Sequence, residues 1–295
     1  IQGLVGTLGT LGAGVGIGQI FRNVTGIMID FDQSQADLSA ISGKTKGELA
    51  GLTAQAKELG ATTQFSATQI TEMQIELAKL GFTSDQILDS TKAVSNFAAA
   101  TGTDMASASK VAGSALRAFG LEAREMDRVV SVLGVATTKS ALSFSDYETA
   151  MSQVAPVSKA FGFSIEDTTT LLAQLKNAGF DASKGAIATK NILLNLADAN
   201  GKLAQEIGRP VTSLDDMAVA FGELEAKGID LAKALDLTDK RSVSAFKVFM
   251  ENADGMVDFR DSITNVSAEL QDMADKKLDS VQGQLTLLSS AWEGW

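Results

Sequence analysis

Near the beginning of the chain, apolar residues recur at steps of three and four, the spacing of one face of a helix. Between residues 20 and 41 Ser34 is the polar exception, and the apolar positions are Ile20, Val24, Ile27, Phe31, Leu38 and Ile41. A pattern of this kind over about three heptads is typical of a coiled coil. We therefore predict a helical seam that joins copies of the chain. After Gly43 the apolar pattern restarts in a new register at Leu49, Leu52, Ala56 and Leu59, which predicts a second helix and a helical hairpin at this point.

A short motif then recurs in the middle of the chain: Gly, followed by Phe, followed by Thr, Ser or Asp. It occurs at Gly81-Phe82-Thr83, Gly162-Phe163-Ser164 and Gly179-Phe180-Asp181, and without the Gly at Phe65-Ser66 and Phe144-Ser145. A Gly can adopt the left-handed conformation that ends one helix, and a hydroxyl or carboxylate can cap the next. The Phe between them can pack on the first turn of the new helix. The motif thus predicts helix-to-helix corners, with capping boxes at Ser66/Gln69, Thr83/Gln86 and Ser145/Glu148.

Corners and periodicity together predict an all-α fold, a compact multi-helix bundle. The predicted helices cover residues 66–80, 84–101, 104–119, 122–138, 145–161, 165–178, 182–199, 214–227, 230–237, 240–253 and 264–292. Short corners favour antiparallel neighbours. Residues 200–213 are predicted to be irregular or a short hairpin, and Pro156 should kink its helix.

The predicted organisation has three parts. Residues 1–43 hold a Gly-rich apolar segment and the long amphipathic, coiled-coil-like helix, and residues 44–255 hold the helical core. Residues 256–295 form an acidic exit helix: from Glu251 to the end there are nine acids and three bases, a net charge of nine minus three, or −6.

Two units of the core match each other at an offset of 98 residues. The matching pairs are Phe65/Phe163, Ser66/Ser164, Thr71/Thr169, Leu77/Leu175, Gly81/Gly179 and Phe82/Phe180. Either an internal duplication or the convergent chemistry of helix corners accounts for these matches.

Residues 3–21 are uncharged and rich in Gly, with the small-xxx-small spacing at Gly12/Gly16 and Gly14/Gly18. Their length suits a membrane span, and this spacing lets helices approach closely in lipid. Each Gly costs about 1 kcal/mol relative to Ala in a water-exposed helix. The segment is therefore either a membrane segment or a flexible, oligomer-packed lead-in.

Composition removes several classes of chemistry. The chain has no Cys and no His, which excludes disulfides, thiolate catalysis, His proton transfer and the usual zinc sites. A net charge of −11 argues against direct nucleic-acid binding. Glycoside hydrolysis needs only a carboxylate pair, but no pair stands out, and Tyr147, Trp292 and Trp295 are the only aromatic residues besides Phe. We predict no enzyme activity, no catalytic residue, no cofactor and no metal.

Four stretches of the chain follow one another in a recognisable order. They are Leu59–Thr68 with Glu76–Phe82, Gln153–Gly162, Leu175–Gly185 with Ile187–Leu196, and Met273–Leu288. This ordered set, which covers most of residues 30–292, resembles the conserved core of phage tail tape measure proteins. Because the chain begins at Ile1 without an initiator Met, we interpret it as a segment of a longer protein.

The resemblance implies a structural virion protein of the tail tube lumen or tail tip, assembled in the bacterial host cytoplasm. Such a protein templates tube assembly, sets tail length and leaves before DNA passes. The implied partners are a few further copies of itself, the tail tube protein, the tail assembly chaperone and the tail-tip or baseplate hub proteins. The long repetitive helix of a ruler is absent, so this segment is predicted to be a folded core. The rival prediction is a channel-forming module that inserts residues 1–21 into the host inner membrane during DNA injection.

Overall fold

The computed structural model describes the backbone of residues 17–279 and the side chains from Ile29 onwards. Within this range the chain forms fifteen α-helices and one 3-10 turn, and it forms no strand. The elements are α1 Ile17–Ser42, α2 Ala50–Thr62, α3 Ala67–Lys79, α4 Ser84–Thr101, α5 Met105–Phe119, the 3-10 turn Ala123–Glu125, α6 Met126–Lys139, α7 Phe144–Ala160, α8 Ile165–Asn177, α9 Ala182–Ala197, α10 Lys202–Ile207, α11 Leu214–Ala226, α12 Leu231–Leu237, α13 Val243–Glu251, α14 Ala253–Ser262 and α15 Ser267–Leu278.

Three helices end in the same backbone arrangement, at Gly81, Gly162 and Gly179. These residues have φ angles of 79°, 84° and 85°, in the left-handed region that favours glycine. In each corner the N–H of the following Phe donates to the carbonyl five residues earlier, as Phe82 does to Leu77 at 3.1 Å. This is the Schellman arrangement, which satisfies carbonyls that the end of a helix would leave without partners.

The helices that follow these corners begin with a side-chain cap. Thr83, Ser164 and Asp181 each accept a hydrogen bond from backbone N–H groups in the first turns of α4, α8 and α9. Ser66 does the same for α3, where its oxygen lies 3.2 Å from the nitrogen of Gln69. Corner and cap together let the chain reverse within a few residues.

One predicted cap was wrong. The N-cap of α7 is Ser143, whose hydroxyl accepts from the Asp146 N–H at 3.3 Å, while the Asp146 carboxylate accepts from the Ser143 N–H at 2.7 Å. The predicted capping box of Ser145 and Glu148 does not form. Asp146 offers a carboxylate three residues after Ser143, so the helix starts earlier and Phe144 becomes its first residue.

Some predicted bounds also differ. The helix expected from 122 starts as the 3-10 turn Ala123–Glu125, and residues 200–213 contain α10. Residues 254–263 lie between the predicted helices 240–253 and 264–292, and most of them form α14, in which Ala253 and Met256 are buried.

Two helices occupy the interior. α3 is packed against α1, α2, α4 and α5, and α8 is packed against α6, α7, α9, α13 and α14. Buried apolar side chains from Leu38 to Ala274 form one connected cluster around them. α14 and α15 also contribute to this cluster, through Met256 and Leu270, as does Ile263 directly after α14.

Candidate interaction surface

The C-terminal half of the predicted seam lies inside the chain. Leu38 is fully buried, Phe31 is half-buried and Ser34 is buried, with its hydroxyl donating to the Phe31 carbonyl at 2.8 Å. Ile41 is 42% exposed. The side chains of Ile20, Val24 and Ile27, the N-terminal half of the seam, lie outside the described residues.

Contacts with α2 and α3 hold α1 in place. Gln35 Nε2 donates to Thr71 Oγ1 at 2.8 Å, and Thr53 Oγ1 donates to Gln35 Oε1 at 2.6 Å. Lys57 Nζ lies 5.7 Å from the centre of the Phe31 ring, within the range of a cation–π contact. Because Phe31 and Leu38 are used within the chain, the seam can join copies only through its N-terminal positions and Ile41.

A shallow groove runs beside Ile41 between α1, α3 and the start of α5. Its lining consists of Asp37, Ala40, Ile41, Glu72, Ile75, Glu76, Lys79 and Ala106. Apolar side chains thus alternate with acidic ones, and Lys79, the one base of the lining, pairs with Glu76 at 2.6 Å. We name this surface the α1–α3 groove; it offers apolar contact together with negative charge.

Further exposed apolar side chains lie on α9 and α12. Leu231 and Leu235, one turn apart on α12, are 63% and 39% exposed, and Leu194 on α9 is 43% exposed. Asn195 Nδ2 donates to the Leu237 carbonyl at 2.7 Å, which holds α9 next to the end of α12.

The N-terminus of α8 carries an ion pair between a buried carboxylate and a half-exposed guanidinium, which the sequence did not reveal. Arg128 on α6 binds Glu166 with Nε–Oε1 and Nη2–Oε2 distances of 2.7 and 2.8 Å. The Glu166 side chain is only 5% exposed. Burial alone would raise the pKa of Glu166, but the hydrogen bonds and charge of Arg128 lower it below its ordinary value.

Arg260 makes a second contact to the same end of α8. Its guanidinium hydrogen-bonds to Asp215 on α11, with Nη2 3.2 Å from Oδ1, and lies 3.8 Å from Asp167 Oδ1. Hydrogen bonds from Arg260 lower the pKa of Asp215. These pairs tie α6, α11 and α14 to α8. The spacing of Ser164 and Asp167 is that of a capping box, but nothing in the sequence links these acids to the arginines, which are distant in the chain.

The candidate membrane segment falls mostly outside the described residues: Gly12, Gly14 and Gly16 precede Ile17, and Gly18 lies in α1. None of the helices that the structure describes is both long enough and apolar enough to cross a membrane. Among the side chains of residues 29–279 no group of three or more acidic residues is placed to hold a metal ion.

Comparison with known proteins gives a consistent result. A family model described as phage-related minor tail protein matches residues 53–286. The tape measure protein of Pneumococcus phage Dp-1 is 31% identical over 206 residues, which are 70% of this chain and 17% of that protein. A probable tape measure protein of Escherichia phage P2 is 29% identical over 206 residues, which are 68% of this chain and 25% of that protein. The chain therefore spans a quarter or less of the length of these relatives, and no solved structure matches it.

Proposed function

The chain belongs to the phage-related minor tail protein family, and from that premise we propose that it is a structural component of a phage tail, acting in tail assembly and genome delivery. The observation that carries this proposal is the extent of the match. It begins within α2 and contains every described helix after it. The bundle itself is therefore what resembles tail proteins.

We further propose that the bundle is a folded core of a tape measure protein and not its measuring part. The longest described helix, α1, has 26 residues and is about 39 Å long at 1.5 Å per residue. The other helices fold back on each other through tight corners. A segment that measures the tail must be extended, so tail length should be set by other residues of a longer chain.

Tail length in particles tests this division. Deleting about 70 helical residues outside the bundle should shorten tails by about 105 Å, at 1.5 Å per residue. As a matched control, about ten Gly and Ser residues inserted at the exposed turn of Gly228, where φ is 70°, should leave length unchanged because that turn is a surface corner. Normal-length tails after the deletion would refute the measuring role of the longer chain.

We propose that copies associate along α1 through Ile20, Val24 and Ile27. Replacing Ile27 with Asp should lower the oligomer mass in light scattering, because an unpaired charge in an apolar seam is costly. Ile29→Asp is the matched control, since Ile29 is already 67% exposed. An unchanged mass for Ile27→Asp, or equal loss in both variants, would contradict association through this seam.

We propose that the α1–α3 groove receives a helix of another tail component, in which an apolar side chain is flanked by Lys or Arg. The supporting observation is charge complementarity: Asp37 and Glu72 line the groove and take part in no ion pair among the described residues. The tail tube protein, the tail assembly chaperone and the tail-tip or baseplate hub proteins are the proposed sources. Contact with nucleic acid is not proposed, because the net charge is −11.

Charge reversal tests the groove. Asp37→Lys with Glu72→Lys should reduce the yield of assembled tails while leaving the unfolding midpoint of the chain unchanged, because both side chains are exposed. Glu225→Lys, at an exposed position of α11, is the control. A normal tail yield from the double variant would exclude the groove from assembly. We place the chain in the tail tube lumen or the tail tip of the virion, after assembly in the host cytoplasm.

A further inference from the structure

The start of α1 lies at the end of the bundle where α2 terminates. Along α2, Thr53 contacts Gln35 and, one turn later, Lys57 contacts Phe31, so α1 and α2 run in opposite directions. Moving towards the C-terminus of α2 is therefore moving towards the N-terminus of α1.

α2 and α4 run in the same direction. Gly51, at the start of α2, lies against Leu88 in the first half of α4. Thr62, at the end of α2, shares a groove with Ala99 in the last turn of α4. The C-terminal end of α4 is thus at the same end of the bundle as the start of α1.

α15 also runs in the direction of α4. Asn96 Nδ2 donates to Gln271 Oε1 at 2.6 Å, and further on Lys277 lies against Gly102. Leu278, the last residue of α15, lines the groove that contains the end of α2. The first and the last described helices therefore have their outer ends at the same end of the bundle.

We propose that the fold opens from this end when the chain is pulled at the start of α1 and the end of α15. A load applied there reaches the turns of α1 and α15 one after another, whereas a load along parallel helices stretches all contacts at once. In the described part of α1 the fully buried apolar side chain is Leu38, and in α15 the most buried are Leu270 and Ala274.

The order of opening follows from this difference in burial. α1 and α15 detach first, and α8, which is buried on all sides for most of its length, is released last. This property belongs to the bundle itself and does not depend on the proposed function. A bundle that opens helix by helix in this way can be extended at a lower force than one that must open all at once.

Pulling single molecules of the full chain with optical tweezers tests the proposal. The sequence has no Cys, so Ile29→Cys with Asp279→Cys supplies a unique pair of handles at exposed positions. The control pair is Asp85→Cys with Asp279→Cys, which places the handles at opposite ends of the parallel helices α4 and α15. With the first pair we expect a first opening at a clearly lower force than with the control. It should come in steps, because the 12 residues of α15 span about 18 Å as a helix and about 40 Å as extended chain, a gain of about 22 Å.

Equal first-opening forces for the two pairs, or a single opening of the whole chain from Ile29 and Asp279, would overturn the proposal. Hydrogen exchange on the unmodified chain gives an independent measurement. Amides of α1 after Ile29 and of α15 should exchange at least about tenfold faster than those of α8. Equal protection in the three helices would also overturn it.

Discussion

α3 and α8 are built by the same local rules and lie in different surroundings. Each has 13 residues, each begins with a Ser cap and a capping box, and each ends in a Gly-Phe corner. The bounds of α8 follow those of α3 by 98 residues, and α9 begins 98 residues after α4. The spacing seen first in single residues thus extends to whole helices.

The two helices differ in how their buried polar groups are satisfied. In α3, Thr71 accepts from Gln35, and Gln74 Nε2 donates to the Leu52 carbonyl at 3.2 Å, so the partners are neutral. In α8, Glu166 is paired with Arg128, and Lys176 Nζ lies 2.8 Å from Asp146 Oδ1. The packing differs too, since α2 packs mainly on α3 while α7 packs mainly on α9.

This comparison separates the features that neighbouring residues determine from those that distant residues determine. A cap and a corner need residues within one turn of each other, so the same short motif gives the same helix in both places. The partner of a buried polar side chain comes from elsewhere in the chain. Stability should therefore respond alike to changes in the corners and unequally to changes in the buried pairs.

The largest expected effect comes from removing Arg128. Arg128→Ala leaves the buried Glu166 carboxylate without its partner. Because the Arg128 side chain is 44% exposed, water can partly replace the guanidinium, and the free energy of unfolding should fall by about 2 kcal/mol. The matched change is Gln35→Ala on α1, which removes the partner of Thr71 on α3. It should lower the free energy of unfolding by about 1 kcal/mol, because Thr71 also donates to the Ala67 carbonyl. Urea denaturation followed by circular dichroism measures both.

A double variant serves as the control for this comparison. Replacing Arg128 with Met and Glu166 with Leu removes both charges, and should recover most of the stability lost in Arg128→Ala. Equal costs for Arg128→Ala and Gln35→Ala would show that the charged and neutral contacts are equivalent.

The corner glycines should respond alike. Gly81→Ala and Gly179→Ala place a side chain at φ angles of 79° and 85°, which costs about 1 to 2 kcal/mol in each. A Cβ at Gly179 would meet nothing within 4 Å, and a Cβ at Gly81 would meet only the flexible end of Arg117, at 3.3 Å, so conformation and not crowding causes the loss. Gly222→Ala, inside α11 and also in open space, should instead stabilise by up to about 1 kcal/mol. A loss at one corner alone would mean that the corners are not equivalent.

A fall in pH should weaken the ion pair of α8 and leave the neutral hydrogen bonds of α3 unchanged. The folded-state pKa of Glu166 is lowered, so its contribution to stability is present above its ordinary pKa and is lost as pH falls through the folded value. The cost of Glu166→Gln, about 1 to 2 kcal/mol at neutral pH, should therefore shrink on acidification. The cost of Gln35→Ala should not change, because Gln35 and Thr71 do not titrate. Denaturation at a series of pH values measures both, and a pH-independent cost of Glu166→Gln would count against the ion pair.

Much of this fold can be predicted from sequence because its corners are local. Gly81, Gly162 and Gly179 predict where helices end, and the Thr, Ser or Asp two residues later predicts where the next helix begins. The prediction failed at the start of α7, where the pairs Ser143/Asp146 and Ser145/Glu148 both have the spacing of a capping box. The earlier pair forms the cap. The contacts that each helix makes with the rest of the chain could not be predicted in this way.

The candidate sites depended on contacts between distant residues. Arg128 and Glu166 are 38 residues apart, and no periodic pattern links them. Similarly, the three-and-four spacing of α1 shows that one face is apolar but not what covers it. At Leu38 the cover is the same chain, so the role of the seam between copies stays a prediction for the positions before Ile29.

The smallest expected difference concerns the Ser caps. Ser66→Ala and Ser164→Ala each remove a hydrogen bond to the first turn and should each cost about 1 kcal/mol. Gln69 and Asp167 keep their own bonds to the backbone N–H of the cap residue, at 2.9 Å in both helices, so the two costs should agree to within about 0.5 kcal/mol. Thermal unfolding at neutral pH measures the pair, with Ser84→Ala as the control, because Ser84 follows the cap residue Thr83 and does not cap α4. A clearly larger loss for Ser164→Ala would mean that the charges around α8 act through its cap, and that even this local rule depends on the surroundings.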